Sequence, residues 1–97
     1  MIAVQNVTST SKKQAPKGYS TWKEWWESRK GRKFSTCSSI GCTNLAEVGA
    51  QVKKSEVVDR MWYIVPLCKS CSQISGTEPF HVRYYDLEAI LEDHWGK

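Results

Sequence analysis

The chain has four cysteines, arranged in two close pairs: Cys37 and Cys42 with four residues between them, and Cys68 and Cys71 with two. Two such pairs on turns, brought together by the segment between them, can present four thiolates to one tetrahedral ion, and Zn2+ is the ion that best suits an all-sulfur tetrahedron. Two disulfides, or four free buried thiols, remain open on spacing alone. No apolar run follows a basic start at the N-terminus, and no long apolar span occurs elsewhere. The expected compartment is therefore reducing and cytoplasmic, where structural disulfides are rare. The spacing predicts one structural Zn2+ on Cys37, Cys42, Cys68 and Cys71.

The elements between the pairs must hold them together. Residues 46–54 alternate, with Ala46, Val48, Ala50 and Val52 on one side and Glu47, Gly49, Gln51 and Lys53 on the other, as in a half-buried strand. Residues 61–67 are rich in the aromatic and β-branched types that strands favour, and Pro66 is expected to end that strand. The two read as a hairpin joining the cysteine turns. Gly41 supplies turn chemistry just before Cys42. A chain of 97 residues forms one small domain at most, and a metal is a reasonable source of added stability at that size.

Outside this centre, residues 1–18 are polar and broken by Pro16 and Gly18, and are expected to be a flexible basic arm; residues 19–97 are expected to be the folded domain. Thr21 followed by Glu24 is a capping box, so a helix is predicted from Trp22 until Gly31 stops it. Trp22, Trp25 and Trp26 fall on one face of that helix. They serve either to pack it onto the domain or, if some stay exposed, as a platform for unpaired bases or a partner protein. Residues 1–33 carry eight basic side chains against two acidic, net +6, while residues 34–97 carry six against eight, net −2. Arg29, Lys30, Arg32 and Lys33, with Lys53 and Lys54, are therefore the candidate contacts to phosphate or to an acidic protein surface. A short helix is expected at residues 72–76 and extended chain at 80–85. A last helix, capped by Asp86, is expected to bury Leu87, Ile90, Leu91 and His94 or Trp95, with Glu88, Glu92 and Asp93 facing water.

A cysteine turn, a hairpin and a second cysteine pair at a helix start resemble a treble-clef zinc finger. In residues 35–76, the runs Gly49-Ala50-Gln51-Val52 and Trp62-Tyr63-Ile64-Val65-Pro66-Leu67-Cys68 with Cys71-Ser72 are similar to the four-cysteine zinc branch of the HNH (His-Me finger) nuclease superfamily. The resemblance implies a small α+β treble-clef domain, here flanked by the tryptophan helix and a C-terminal helix. It also implies a histidine base on the first strand, and Gln51 stands at that position. An amide has no lone pair that titrates near neutral pH, so it cannot accept the proton of an attacking water. Ser72 stands where the family often has asparagine, residues 72–80 contain no histidine, and His81 lies beyond Pro79.

The expectation is therefore a non-enzymatic zinc-binding adaptor or inhibitor-like accessory protein, phage or mobile-element encoded, docking on a nucleic-acid-handling complex. Its partner would be nucleic acid or a protein of that complex, with no membrane and no small-molecule substrate. The alternatives are a metal-dependent nuclease with an atypical base, for which His81 is the candidate, and a subunit whose finger is purely structural.

Overall fold

The computed structural model describes residues 1–7, 14–55 and 61–90. Among them, five strands form one antiparallel sheet: β1 (Ile2–Asn6), β2 (Val48–Lys54), β3 (Trp62–Leu67), β4 (Phe80–Val82) and β5 (Glu88–Ile90), in the order β4-β1-β2-β3-β5. Two helices, α1 (Trp22–Lys30) and the single-turn α2 (Lys69–Ser72), and a 3-10 turn at Tyr84–Asp86 complete the described elements. No helix among the described residues is long and apolar enough to cross a membrane.

The hairpin β2–β3 is the spine, in register from Val48 opposite Leu67 to Val52 opposite Tyr63. Pro66 does not end β3; the strand continues to Leu67, and the Pro66 carbonyl accepts a hydrogen bond from the Ser38 amide at 2.8 Å. Alternation along the hairpin divides the core into two layers. On one side Val4, Ala50, Val52, Val65, Leu67 and Val82 pack with Cys37 and Cys68. On the other, Ile64 and Ile90 pack beneath Trp22, Trp25 and Trp26.

α1 begins where the capping box predicts. The Thr21 hydroxyl accepts from the Glu24 amide at 3.1 Å, while the Glu24 carboxylate reaches back to Ser20, accepting from its amide at 3.2 Å and its hydroxyl at 2.8 Å. Gly31 ends the helix at φ 72°, ψ 24°, in the left-handed region, and its N–H donates to the Glu27 carbonyl. α1 lies so close to β2 that a Cβ on Gly49 would sit 2.8 Å from the Lys23 amide nitrogen and 2.9 Å from the Trp22 carbonyl carbon. A strand expected to be wet on one side is thus covered on both, and Gln51 is buried.

Four further expectations are corrected. Residues 2–6 belong to the interior of the sheet: β1 pairs with β2 on one edge and β4 on the other, and Val4 is fully buried. Ile2, Val4 and Asn6 share one side of β1, and strand pairing on both edges outweighs the polar composition of the first 18 residues; residues 8–13 lie outside the described residues. The C-terminal helix is replaced, as far as Ile90, by the 3-10 turn and β5. The edge of β3 takes Glu88–Ile90 as a partner, and Leu87 and Ile90 then join opposite layers instead of one helical stripe. Leu91, Glu92, Asp93, His94 and Trp95 lie outside the described residues. Finally, the short helix occupies Lys69–Ser72, not 72–76, because Cys68 itself caps it, and only residues 80–82 of the stretch 80–85 are strand.

Candidate metal centre

Cys37 and Cys42 sit on a loop held shut by its own backbone. Thr36 bridges to Leu45, the Cys37 amide donates to the Asn44 carbonyl at 2.8 Å, and the Cys42 amide donates to the Ser39 carbonyl at 3.0 Å. Gly41, at φ 87°, makes the reversal that brings Cys42 back towards Cys37, a conformation that L side chains rarely adopt. Cys68 follows directly from β3, and its sulfur caps α2 by accepting from the Cys71 amide at 3.5 Å. The four sulfurs lie within 4.8 Å of one another, with Cys42 and Cys68 3.8 Å apart, and none is in a disulfide.

Four sulfurs about 2.3 Å from one central ion would stand about 3.8 Å apart, so the cluster has the dimensions of a single tetrahedral metal site. The donor set fits that use: four soft thiols, with amide hydrogens from Cys71 and the Asn44 side chain directed at Cys68. The cysteines do not ionise alike. Burial pushes Cys68 up, but hydrogen bonds from the Cys71 backbone, Asn44 and the neighbouring thiols outweigh it and bring the group down to about 6. Burial, reinforced by Cys68 and Cys37, pushes Cys71 up to about 12, and burial raises Cys37 as well. Negative charge gathered on one sulfur opposes its gathering on the next, and a dication at the centre removes that conflict.

Polar side chains outside the cluster fix the two cysteine loops to the sheet. The Asn6 side chain, buried in β1, donates to the carbonyls of Cys71 (3.1 Å) and Ile74 (2.9 Å). Asp86, 2% exposed, accepts from the Ser38 hydroxyl at 2.8 Å, from Arg83 Nε at 2.9 Å and from Arg32 Nη2. Its backbone carbonyl accepts from the Trp26 indole at 2.7 Å. Burial alone would raise the Asp86 pKa; the hydrogen bonds from Arg32, Ser38 and Arg83 lower it below the usual carboxylate value. Arg83 also donates to the carbonyls of Thr36 and Cys37, so one buried carboxylate ties α1, the 3-10 turn and the first cysteine loop together. Sequence reasoning missed this centre. A lone Asp after two tyrosines carries no sign of the two arginines, 54 and three residues away, that meet it.

The expected basic, tryptophan-rich surface is taken apart by the same contacts. Trp22, Trp25 and Trp26 are 7%, 1% and 0% exposed, so they pack the domain and offer no stacking platform. Arg29 and Lys30 pair with Glu88 at 3.3 Å each, and Lys30 also donates to the carbonyls of Tyr85 and Leu87. Arg32 holds Asp86 and lies over the Trp26 ring, its guanidinium carbon 4.7 Å from the centroid. Lys33 reaches Glu27 at 3.7 Å but stays largely in solvent. Lys53 is exposed, and Lys54 lies with its ammonium 4.8 Å from the Tyr63 ring centroid. His81 is exposed on β4 and is not part of the sulfur cluster. Comparison with protein families, with curated proteins and with solved structures gave no match in any of the three.

Proposed function

We propose that Cys37, Cys42, Cys68 and Cys71 hold one structural Zn2+ in a treble-clef-like finger, and that the protein acts by binding, as a non-catalytic adaptor on a nucleic-acid-handling complex. The observation that carries this is the approach of four sulfurs, from two loops on either side of the β2–β3 hairpin, to within 4.8 Å. Four protein ligands close a tetrahedral site and leave no position for a substrate or an activated water, the arrangement of structural zinc. When bound, the ion would supply cross-linking of the two loops and cancellation of thiolate charge. Asn6, Asn44 and Arg83 hold the loops in the geometry it needs.

The non-catalytic reading is supported by Gln51. It is 5% exposed and lies opposite Ile64 of the tryptophan layer, so on the other side of the sheet from the sulfurs. An amide so buried is a poor candidate to activate water. The nucleic-acid association rests on the formal charge of +4 and on lysines left in solvent, among them Lys17, Lys23, Lys33 and Lys53.

Elemental analysis of the purified protein tests the metal: one zinc per chain is expected. Its removal by chelation should eliminate on the order of 10 kcal/mol of folding free energy and unfold the middle of the chain. Protein that is folded and free of metal would overturn the reading. Capture of the protein's complexes from its native cell tests the adaptor role, with nucleic-acid-handling proteins or nucleic acid as the expected catch.

A further inference from the structure

With the tryptophans buried and Arg29, Lys30 and Arg32 paired with carboxylates, the aromatic faces that could meet nucleic acid are found on another surface. A groove of about 300 Å³ opens on the sulfur-bearing side of the sheet, lined by Ile2, Lys30, Lys54, Tyr63, Tyr84 and Tyr85 among others, with no carboxylate among the described residues that line it. Tyr84 and Tyr85 are 68% and 61% exposed, and their rings meet edge to face with centroids 6.4 Å apart. Tyr63 projects from β3 on the same side as Val65 and Leu67, and the ammonium of Lys54 lies over it. Lys30 is engaged by Glu88 and by two carbonyls, whereas Lys54 has no acidic partner among the described residues. The site thus combines exposed aromatic faces with a cation, Lys54, that has no acidic partner among the described residues.

We infer that this tyrosine–lysine groove binds single-stranded nucleic acid, an unpaired base stacking on Tyr84 or Tyr85 while Lys54 meets the adjoining phosphate. Aromatic rings accept any base by its π-face, and a nearby cation tracks the backbone, which is the chemistry of sequence-tolerant single-strand binding. A duplex offers no free base face, so it should bind more weakly. The inference rests on the nucleic-acid reading above and adds to its solvent lysines a place where a base can stack.

The test is fluorescence anisotropy of the zinc-loaded full chain with a labelled oligothymidine of about 12 nucleotides. The same measurement is made with its duplex and with labelled polyglutamate. Tight single-strand binding is expected at low salt, with the logarithm of affinity falling linearly with log salt by about 0.7 per phosphate contacted. Replacing both Tyr84 and Tyr85 by Ala should weaken it about tenfold or more, given what one stacked base contributes. Lys54→Gln should weaken it and flatten the salt slope, while Lys69→Gln, at an exposed lysine outside the groove, should change little. Zinc content and tryptophan emission report folding of each variant, and Lys54→Gln decides the matter if the tyrosine variant does not fold. Absence of single-strand binding at low salt overturns the inference, as does binding indifferent to the groove variants or equal binding of polyglutamate. Because metal content and native complexes are measured separately, a failed groove leaves the zinc-adaptor reading standing, and a metal-free protein fails that reading alone.

Discussion

Asp86 shows how much of this molecule depends on one side chain. Its carboxylate is almost fully buried yet receives three hydrogen bonds, two of them from arginines, and its carbonyl receives a fourth from Trp26. Asp86→Ala would leave the buried Ser38 hydroxyl without its acceptor and take the carboxylate from Arg32 and Arg83, which still reach water, so the variant should be destabilised by about 1–3 kcal/mol in urea unfolding. The folded pKa is depressed, so the carboxylate's contribution is complete above the unfolded value of about 3.9 and is lost as pH falls through the lower folded value. The carboxyl-carbon resonance of Asp86 should stay at its ionised position near pH 4, where exposed aspartates have begun to protonate. An ordinary titration there would contradict the buried network. Only fragments of this were legible in the residues: Asp86 reads equally well as a helix cap, since the cap preference is local and the arginines that select its actual role are brought by the fold.

At the scale of elements, α1 and β1 behave in opposite ways with respect to their sequences. The helix is self-declared. Thr21, Glu24 and Gly31 act within a few residues of where they stand, so both ends follow from local chemistry. What local chemistry leaves open is the fate of the indoles, and β2 decides it: Gly49 lets the helix backbone approach, and Ile64 and Ile90 complete the layer. Trp26→Ala should thus destabilise the protein by about 3–5 kcal/mol, read from its urea unfolding, as for any large core truncation. A stacking role at the surface would have left stability unchanged. β1 declares itself weakly, as five residues with a polar stretch after them, yet it fills the position between β2 and β4. Deleting residues 1–7 would leave hydrogen-bonding edges open on both neighbours and remove Val4 from the core and Asn6 from the second cysteine loop. The expected outcome is an unfolded or aggregated chain by circular dichroism and size-exclusion chromatography, where loss of an arm would be silent.

Across the whole molecule, the sheet separates two tasks. One side carries the tryptophan layer, which buries apolar area and absorbs the basic end of α1 through Glu88 and Asp86. The other side carries the sulfur cluster at one part and the tyrosine groove at another, both joined to the core of Val4, Val52 and Val65. Of the eight basic residues among 1–33, which suggest a basic end turned towards a partner, Arg29, Lys30 and Arg32 meet the acidic remainder at Glu88 and Asp86. Chelation should accordingly disturb more than the cysteine loops. Asn6 and Ser38 link those loops to β1 and to Asp86, so metal loss should appear in tryptophan emission as well as in the spectrum of a cobalt-substituted site.

The residues alone determine whatever depends on short separations. The pairing of the cysteines, the β2–β3 hairpin, the ends of α1 and the presence of an amide at Gln51 are all set by side chains within a few positions of one another. Tertiary structure decides whatever depends on who arrives from a distance. It brings β1 and β5 to the open edges of the hairpin, covers the tryptophans, pairs Arg29, Lys30 and Arg32 with Glu88 and Asp86 and leaves Tyr84 and Tyr85 outside. Unpaired strand edges and buried charges are satisfied by partners, not by propensity. A partner dozens of residues away leaves no periodic trace in the chain.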